Sequence, residues 1–532
     1  MIEEHGVEPI PERDRRATAG DFFGIAVGST MTTTTIVLGT LPIAMGLSFR
    51  AAVTAILLGT TLGAIVLMPL ALLGPRTHTN NAVTSGAHFG VTGRIVGSFL
   101  SLLIAITFFT IAVWVGGDSL TAGLARLSGG LDSDWTAAAG YALTATCIFA
   151  ICIVGYRWLL RASRLIAPLF GALLVLGVAA FAADFRPDAG PSPDGYALGG
   201  FLATWTAALL IVMANGISYG PFLGDWSRYV PETESQRRLL GATFVSQLAS
   251  LIPFLFGAAT ATLVPDAGDY VRGLVAAAPD WYVVALVAVV FIGSIAGGSA
   301  SLYGTGLDFS SVVPALSRFQ ATLAIGAVSI VLVFLGRFVF NMVDTVSAFT
   351  TLILIFSAPW TAVMLIGAFT RRGFYLADDL QVFNRGQKGG AYWFHHGLNA
   401  RALTAWTLGS ITGLLLANTS LIAGPLRDVA GGIDLSFFAS LLVAGAVYLA
   451  LLVAFPEPRY VFGPRGPRWV PCADHAAVVG PSGAPSGPVL GPRSIPGLVP
   501  VIEDRRRWIP CDSTASLTSS RAAPVAIRTE RP

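Results

Sequence analysis

Charge is scarce in this chain. Only 12% of its 532 residues are Asp, Glu, Lys or Arg, against the roughly 25% usual in soluble domains. A formal net charge of +3 is too small to argue for a nucleic-acid partner. Cysteine is nearly absent as well: Cys147 and Cys152 fall in an apolar segment, Cys472 and Cys511 near the end. That spacing suits neither a zinc site nor a disulfide framework. A Walker loop, an H-E-x-x-H pair, a G-x-S-x-G elbow and a clustered Cys/His set are all missing. Their absence argues against an enzyme, against a bound cofactor and against an ATP-driven pump. Any transport would be passive or driven by an ion gradient.

What fills the chain is apolar residue, at 54% of the total. Windows of about 20 such residues recur, each long enough for a hydrocarbon core about 30 Å thick. About twelve spans are expected, near 22–46, 51–73, 94–125, 136–155, 163–183, 198–222, 239–264, 281–305, 320–340, 343–369, 402–423 and 434–455. The fold class is therefore an all-α polytopic membrane protein, inserted in the bilayer of the plasma membrane. Its polar, mixed-charge N-terminus shows no cleavable signal, so the first span is expected to act as its own insertion signal. The reading divides the chain into an N-terminal segment (1–20), a transmembrane domain (21–455) and a tail (456–532). Rich in Pro, Gly and Ser, the tail is expected to be disordered. Within it "RWVPC" recurs as "RWIPC", and no mechanism explains the repeat. With the N-terminus inside, seventeen Lys and Arg fall in inner loops or segments and six in outer ones. That asymmetry follows the positive-inside rule and places both termini in the cytoplasm.

Two spans carry polar, glycine-rich interruptions. The first contains "GSTMTTTT" from Gly28, and the sixth contains "MANGISYGPFLGDWSRY" from Met213 to Tyr229. Pro221 breaks the backbone ladder there, while Gly216 and Gly220 make unwinding cheap. Hydroxyls in membrane helices often bond back to the preceding turn, with no ligand involved. Yet the two interruptions occupy equivalent places if ten spans form two halves of five, and such a matched pair points to a midplane binding site. Unwinding near Gly28 would free the carbonyls of Gly28 and Met31 beside the Ser29, Thr30 and Thr32 hydroxyls. Hard oxygens of that kind suit a small cation.

Several stretches resemble the nucleobase:cation symporter-1 family, in its purine–cytosine permease branch. They are "GPRTHTNNAVTSGAHFGVTG" with its preceding span, "WVGGDSL" from Trp114, "GDWSRYVPE" from Gly224, "ASLYGTGLDF" from Ala300 and "GGAYWFHHGLNARALTAW" from Gly389. The resemblance implies a five-plus-five inverted-repeat transporter fold, with the first and sixth helices broken and two helices added. It also implies import of a purine, cytosine or related base coupled to H⁺ or Na⁺. In the family a base stacks between aromatics of the third and sixth helices while polar side chains read its edge. Here the third-helix positions fall on Phe108 and Ala112, with Trp114 nearby; Phe108 stacks but Ala112 cannot hydrogen-bond. On helix six Tyr219 or Phe222 must supply the second ring. Asn215, Ser218 and Ser301 are the candidates for edge contacts. The implied cation site joins Gly28, Met31 and Thr32 to helix eight, where Ile295 and Ala296 fall at the expected hydroxyls and Ser294, Ser299 or a one-residue slip would restore them. Should Na⁺ lack those oxygens, Asp118 and Asp344 become candidates for proton coupling. Asp225 and Arg228 lie three apart on one helix face and suit an inner-gate or structural role. His78 and His88 read as ordinary loop residues. Alternatives are a transporter of another small heterocycle (allantoin, hydantoin or a vitamin) and a channel or sensor signalling through the tail.

Overall fold

Inside a bilayer a long apolar segment satisfies its own N–H and C=O groups by coiling into a helix. The computed structural model describes residues 7–129, 133–154, 156–193, 195–264, 269–312, 318–338 and 342–473. Twelve crossings can be traced among them. The first five are Ala19–Thr30 with Thr33–Ala44, then Phe49–Thr77, Ile95–Ser128, Asp134–Val154 and Tyr156–Phe181. The next five are Phe201–Ser218 with Leu223–Ser227, then Gln236–Ala261, Asp280–Val312, Arg318–Phe338 and Met342–Thr370. Ala400–Leu416 and Ser436–Ala454 are the two additional helices. The expected class, an all-α multi-pass membrane protein, holds. At 34 residues the third crossing would run about 51 Å, so it must tilt or project beyond the bilayer.

Local chemistry sets where these helices begin. Thr18 accepts from the Asp21 amide while Asp21 reaches back to the Thr18 amide, a reciprocal cap on the first crossing. Ser48 and Asn399 cap the second and eleventh. Large apolar side chains such as Leu58, Val175, Val284 and Leu442 stand exposed on the outer surfaces of the bundle, as a lipid-facing surface requires.

Lipid tails are as apolar as leucine, so small residues that let backbones approach decide which helices touch. Gly39 of the first crossing rests on the backbone of Phe254 in the seventh, and Gly257 of the seventh rests on the backbone of Ile36. Gly298 of the eighth meets Ala112 of the third and Ile148 of the fourth. Gly117 of the third lies against Tyr141 of the fourth. These contacts join the first crossing to the seventh and draw the third, fourth and eighth together.

Two segments read as loop or tail are built into the fold. The link between the second and third crossings forms short helices, Asn81–Thr84 and Gly86–Phe89, and His88 within it is fully buried. Burial and the nearby Arg371 charge hold that histidine well below its usual pKa, hence neutral. The expected disorder from residue 456 also needs correcting. Glu457 and Pro458 pair in parallel with Cys472 and Ala473, and Glu457 is 1% exposed. Its carboxylate lies 2.7 Å from Arg371 and accepts from Asn399 at 2.8 Å. Proline and glycine composition suggested disorder, but one buried ion pair anchors this stretch. Residues 474–532, including the second "RWIPC" copy, lie outside the described residues. Cys147 and Cys152 are free thiols, whereas Cys472 is disulfide-bonded, which spacing did not suggest.

Candidate functional site

The first crossing stops at Thr30 and restarts at Thr33, with the two pieces bent by 54°. Its hydroxyls answer for the break. The Thr32 amide bonds to Thr30 O at 3.1 Å instead of continuing the ladder, and the Thr32 hydroxyl caps the second piece at the Thr35 amide. Thr35 Oγ1 in turn donates to Thr30 O at 3.0 Å. Among the described residues, the carbonyls of Gly28 and Met31 are left without a helical N–H partner. Ser29 and Thr30 spend their hydroxyls on Ile25 O and Val27 O. Thr34 Oγ1 is buried with no hydrogen-bond partner among the described residues. The cluster of threonines is thus mostly a capping device for a bent helix.

The sixth crossing is interrupted differently. It stays helical through Asn215 and Gly216 to Ser218, breaks over Tyr219–Phe222 and resumes at Leu223. Pro221 has no N–H to give, and Gly220 bonds three residues back to Ile217 O at 2.9 Å. The break lies in the last third of the span, and the two pieces stay aligned well enough for Phe201–Ser227 to read as one crossing. Gly216, expected to unwind, packs against Gln247 and Gly63 instead. The two interruptions meet directly: Tyr219 OH donates to Ser29 O at 2.6 Å. Asn81 of the buried link donates to Gly220 O at 2.8 Å, filling an acceptor the break leaves open.

The proposed cargo residues line up unevenly around this junction. Phe108, Trp114, Asn215, Ser218 and Phe222 are all buried, while Tyr219 and Ser301 are half-buried. Asn215 is 2% exposed, and its Nδ2 has no hydrogen-bond partner among the described residues. An amide buried this way costs free energy until something accepts from it. The Ser218 hydroxyl donates to Asn215 O and that of Ser301 to Gly297 O, so both oxygens have partners within their own helices. Ala112 packs on Gly298, so no polar group from that position reaches the junction.

The cation candidates are divided. Val290 O accepts from Thr33 Oγ1 at 2.9 Å, and Gly293 and Gly297 of the eighth crossing abut Thr33 and Thr32. Glycine, not a hydroxyl, therefore faces the break. Ser294 sits elsewhere, against Gly116 of the third crossing, and is not brought to Gly28 and Met31. Asp118 is engaged by Tyr141 OH at 2.7 Å and lies 3.9 Å from Arg272. Asp344 accepts from Ser420 at 2.5 Å. Asp225 and Arg228 are both buried, the latter with its guanidinium 5.4 Å from the Tyr229 ring.

One residue escaped the sequence reading. Trp360 of the tenth crossing is fully buried, and its indole N–H has no partner among the described residues. Its ring lies against Gly220 of the sixth crossing and its nitrogen beside Gly97 of the third. The only signal was "SAPW", a proline one residue before a tryptophan inside an apolar run.

With this geometry in view, comparison with known proteins gives a consistent answer. A family described as "Permease for cytosine/purines, uracil, thiamine, allantoin" matches residues 9–439. A Bacillus subtilis (strain 168) protein named as a purine-cytosine permease, YxlA, is 27% identical over 467 residues, 85% of this chain and 96% of that one. Among solved structures, Mhp1, described as a nucleobase-cation-symport-1 family transporter in a closed conformation with bromovinylhydantoin bound, aligns with a TM-score of 0.67. That alignment is 16% identical and covers 86% of this chain and 96% of Mhp1. A Na⁺-coupled sialic acid symporter in a substrate-bound outward-open state aligns at 0.53, with 15% identity over 83% of this chain and 91% of the symporter. These likenesses show a shared fold, in which the first ten crossings form two sets of five.

Proposed function

Because this chain belongs to the family of permeases for cytosine/purines, uracil, thiamine and allantoin, we propose that it imports a nucleobase or related flat heterocycle by alternating access. The observation that carries the reading is the junction of the two interrupted crossings, with the Asn215 amide, unpartnered among the described residues, on the same crossing as Tyr219. A nucleobase is uncharged and planar, so its affinity must come from ring faces and from donors and acceptors matched to its edge. Phe108 supplies a ring face and Asn215 a donor. Tyr219 and Phe222 are the aromatic side chains available from the sixth crossing. Both termini lie in the cytoplasm on this reading, in keeping with the positive-inside count.

Import is coupled to a cation. Family membership and the Na⁺-coupled neighbour support a coupled mechanism, while glycine opposite Thr32 favours H⁺ over Na⁺ for this chain. Either ion, together with cargo, must favour closure, because a ligand shifts a conformational equilibrium only by its differential affinity. The second reading, a cargo such as allantoin or a hydantoin, draws on Ala112: with no amide there, the site has one edge-reading group fewer.

A single experiment separates these readings. Labelled adenine, cytosine, uracil, allantoin, hydantoin and thiamine are offered to a permease-deficient host expressing the chain, with Na⁺ replaced by choline and with an uncoupler added. Saturable uptake of a nucleobase, abolished by the uncoupler and indifferent to choline, is the expected result. Uptake of none of the panel at normal membrane abundance would contradict the proposal.

A further inference from the structure

The N-terminal segment is bonded across the face of the bundle that carries it. Ile10 N donates to His78 O at 2.9 Å and Ala17 N to Tyr229 O at 3.1 Å. Arg15, only 5% exposed, donates to Pro75 O at 2.6 Å and Val230 O at 3.2 Å. Val7 O accepts from Thr79 and Gln381, and Glu8 pairs with Arg385 at 3.0 Å. Residues 7–18 thus strap the end of the second crossing to the link after the sixth and to the segment after the tenth. The first crossing begins immediately afterwards, so its first half cannot swing outward while the strap holds.

One ring nitrogen sits where the strap meets the bundle. His78 Nε2 is 2.8 Å from Arg15 Nη1 and 3.4 Å from Glu232 Oε1. Arginine only donates and a carboxylate only accepts, so this nitrogen cannot serve both at once. Neutral His78 accepts from Arg15. Protonated at Nε2, it donates to Glu232 and repels the Arg15 guanidinium.

We propose that His78 is a proton-binding site that latches the strap: bound to Arg15 when neutral, it closes the cytoplasmic side, and on protonation it passes to Glu232 and releases the strap. The charged groups facing it are Arg15 and Glu12 from the strap and Glu232 from the link after the sixth crossing. On its own segment Arg76 is turned away, against Gly373. The side chain remains 25% exposed, so protons from solvent reach it. Burial first and the Arg15 charge second lower its pKa from the ordinary value of 6.5, with Glu232 and Glu12 pulling it partly back. The sign follows from linkage. A histidine depressed in the closed form, and paired with Glu232 in the released one, binds fewer protons when closed, so closure is at full strength well above pH 6.5 and weakens as pH falls towards and below it. This inference rests on the transport reading only for the meaning of release; the latch itself is tested without cargo.

The test is hydrogen exchange of residues 10–18 in the purified full chain from about pH 8 to pH 5, corrected for the intrinsic pH dependence of exchange. In the wild type, the opening constant is expected to rise by up to about tenfold per pH unit below roughly pH 6.5. Glu232→Gln, at an exposed position, should retain closure at high pH and shift the rise to lower pH. His78→Gln, whose amide oxygen still accepts from Arg15, should be flat, provided its protection at high pH equals that of the wild type; if it does not, Glu232→Gln decides. A flat wild-type profile, an unshifted Glu232→Gln profile, or the wild-type slope persisting in a well-folded His78→Gln would overturn the latch. Failure of the uptake panel would leave this readout intact, so the two ideas fail separately.

Discussion

Glu457→Ala is expected to leave little folded protein after extraction in mild detergent. The substitution removes the carboxylate 2.7 Å from Arg371 and leaves that guanidinium fully buried, held by a neutral carbonyl, Ala87 O at 2.6 Å. Deleting one partner of a buried ion pair costs on the order of 3–5 kcal/mol, because the other charge stays uncompensated. Asn399 loses an acceptor as well, although its Nδ2 keeps His88 O at 2.7 Å. Replacing both ionic partners with methionine should recover much of the loss, since no naked charge then remains. The midpoint of thermal unfolding, followed by size-exclusion profile, measures all three forms. The same contact makes residues 456–473 part of the folded unit, so truncation after Phe455 should lose the wild-type profile. A wild-type midpoint in Glu457→Ala would show that the buried pair does not hold the segment in place.

Phe108→Ala and Asn215→Ala should each cripple uptake while leaving membrane abundance unchanged. A stacked base is worth about 1–3 kcal/mol, so losing the Phe108 face weakens cargo binding by roughly 5- to 150-fold. For Asn215 the loss falls in a similar range, because a cargo acceptor would be buried without its donor. Initial rates at cargo concentrations well below saturation report both effects. Unchanged rates in both variants would remove these residues from the site.

How much of this was legible in the sequence depends on the kind of signal. The crossings were, because hydrocarbon thickness fixes helix length and charge is excluded from the middle. The first break was too: five threonines beside Gly28 compete with the ladder, and the structure shows Thr32 and Thr35 doing so. Pro221 marks the sixth break in the sequence, whereas Gly216 gives a false signal of unwinding. Gly216 is helical and packs against Gly63 and Gln247, and Pro221, with its missing N–H, sets the break. Side-chain direction was out of reach. Ser294 lies one residue from Gly293, yet that step turns it from the first crossing towards the third. Most hidden of all was Glu457, whose proline-rich neighbours suggested disorder and whose partner lies 86 residues away in the sequence.

The central claim is that the first and sixth crossings come apart where they meet and together form the cargo site. Thr32→Cys and Asn215→Cys, each placed in a background free of native cysteines, test it through their reaction with a small membrane-impermeant thiol reagent. Both positions are expected to react, and saturating concentrations of whichever compound the uptake panel identifies should slow both reactions at least tenfold. Two inert thiols, or two reactive thiols indifferent to that compound, would contradict the account.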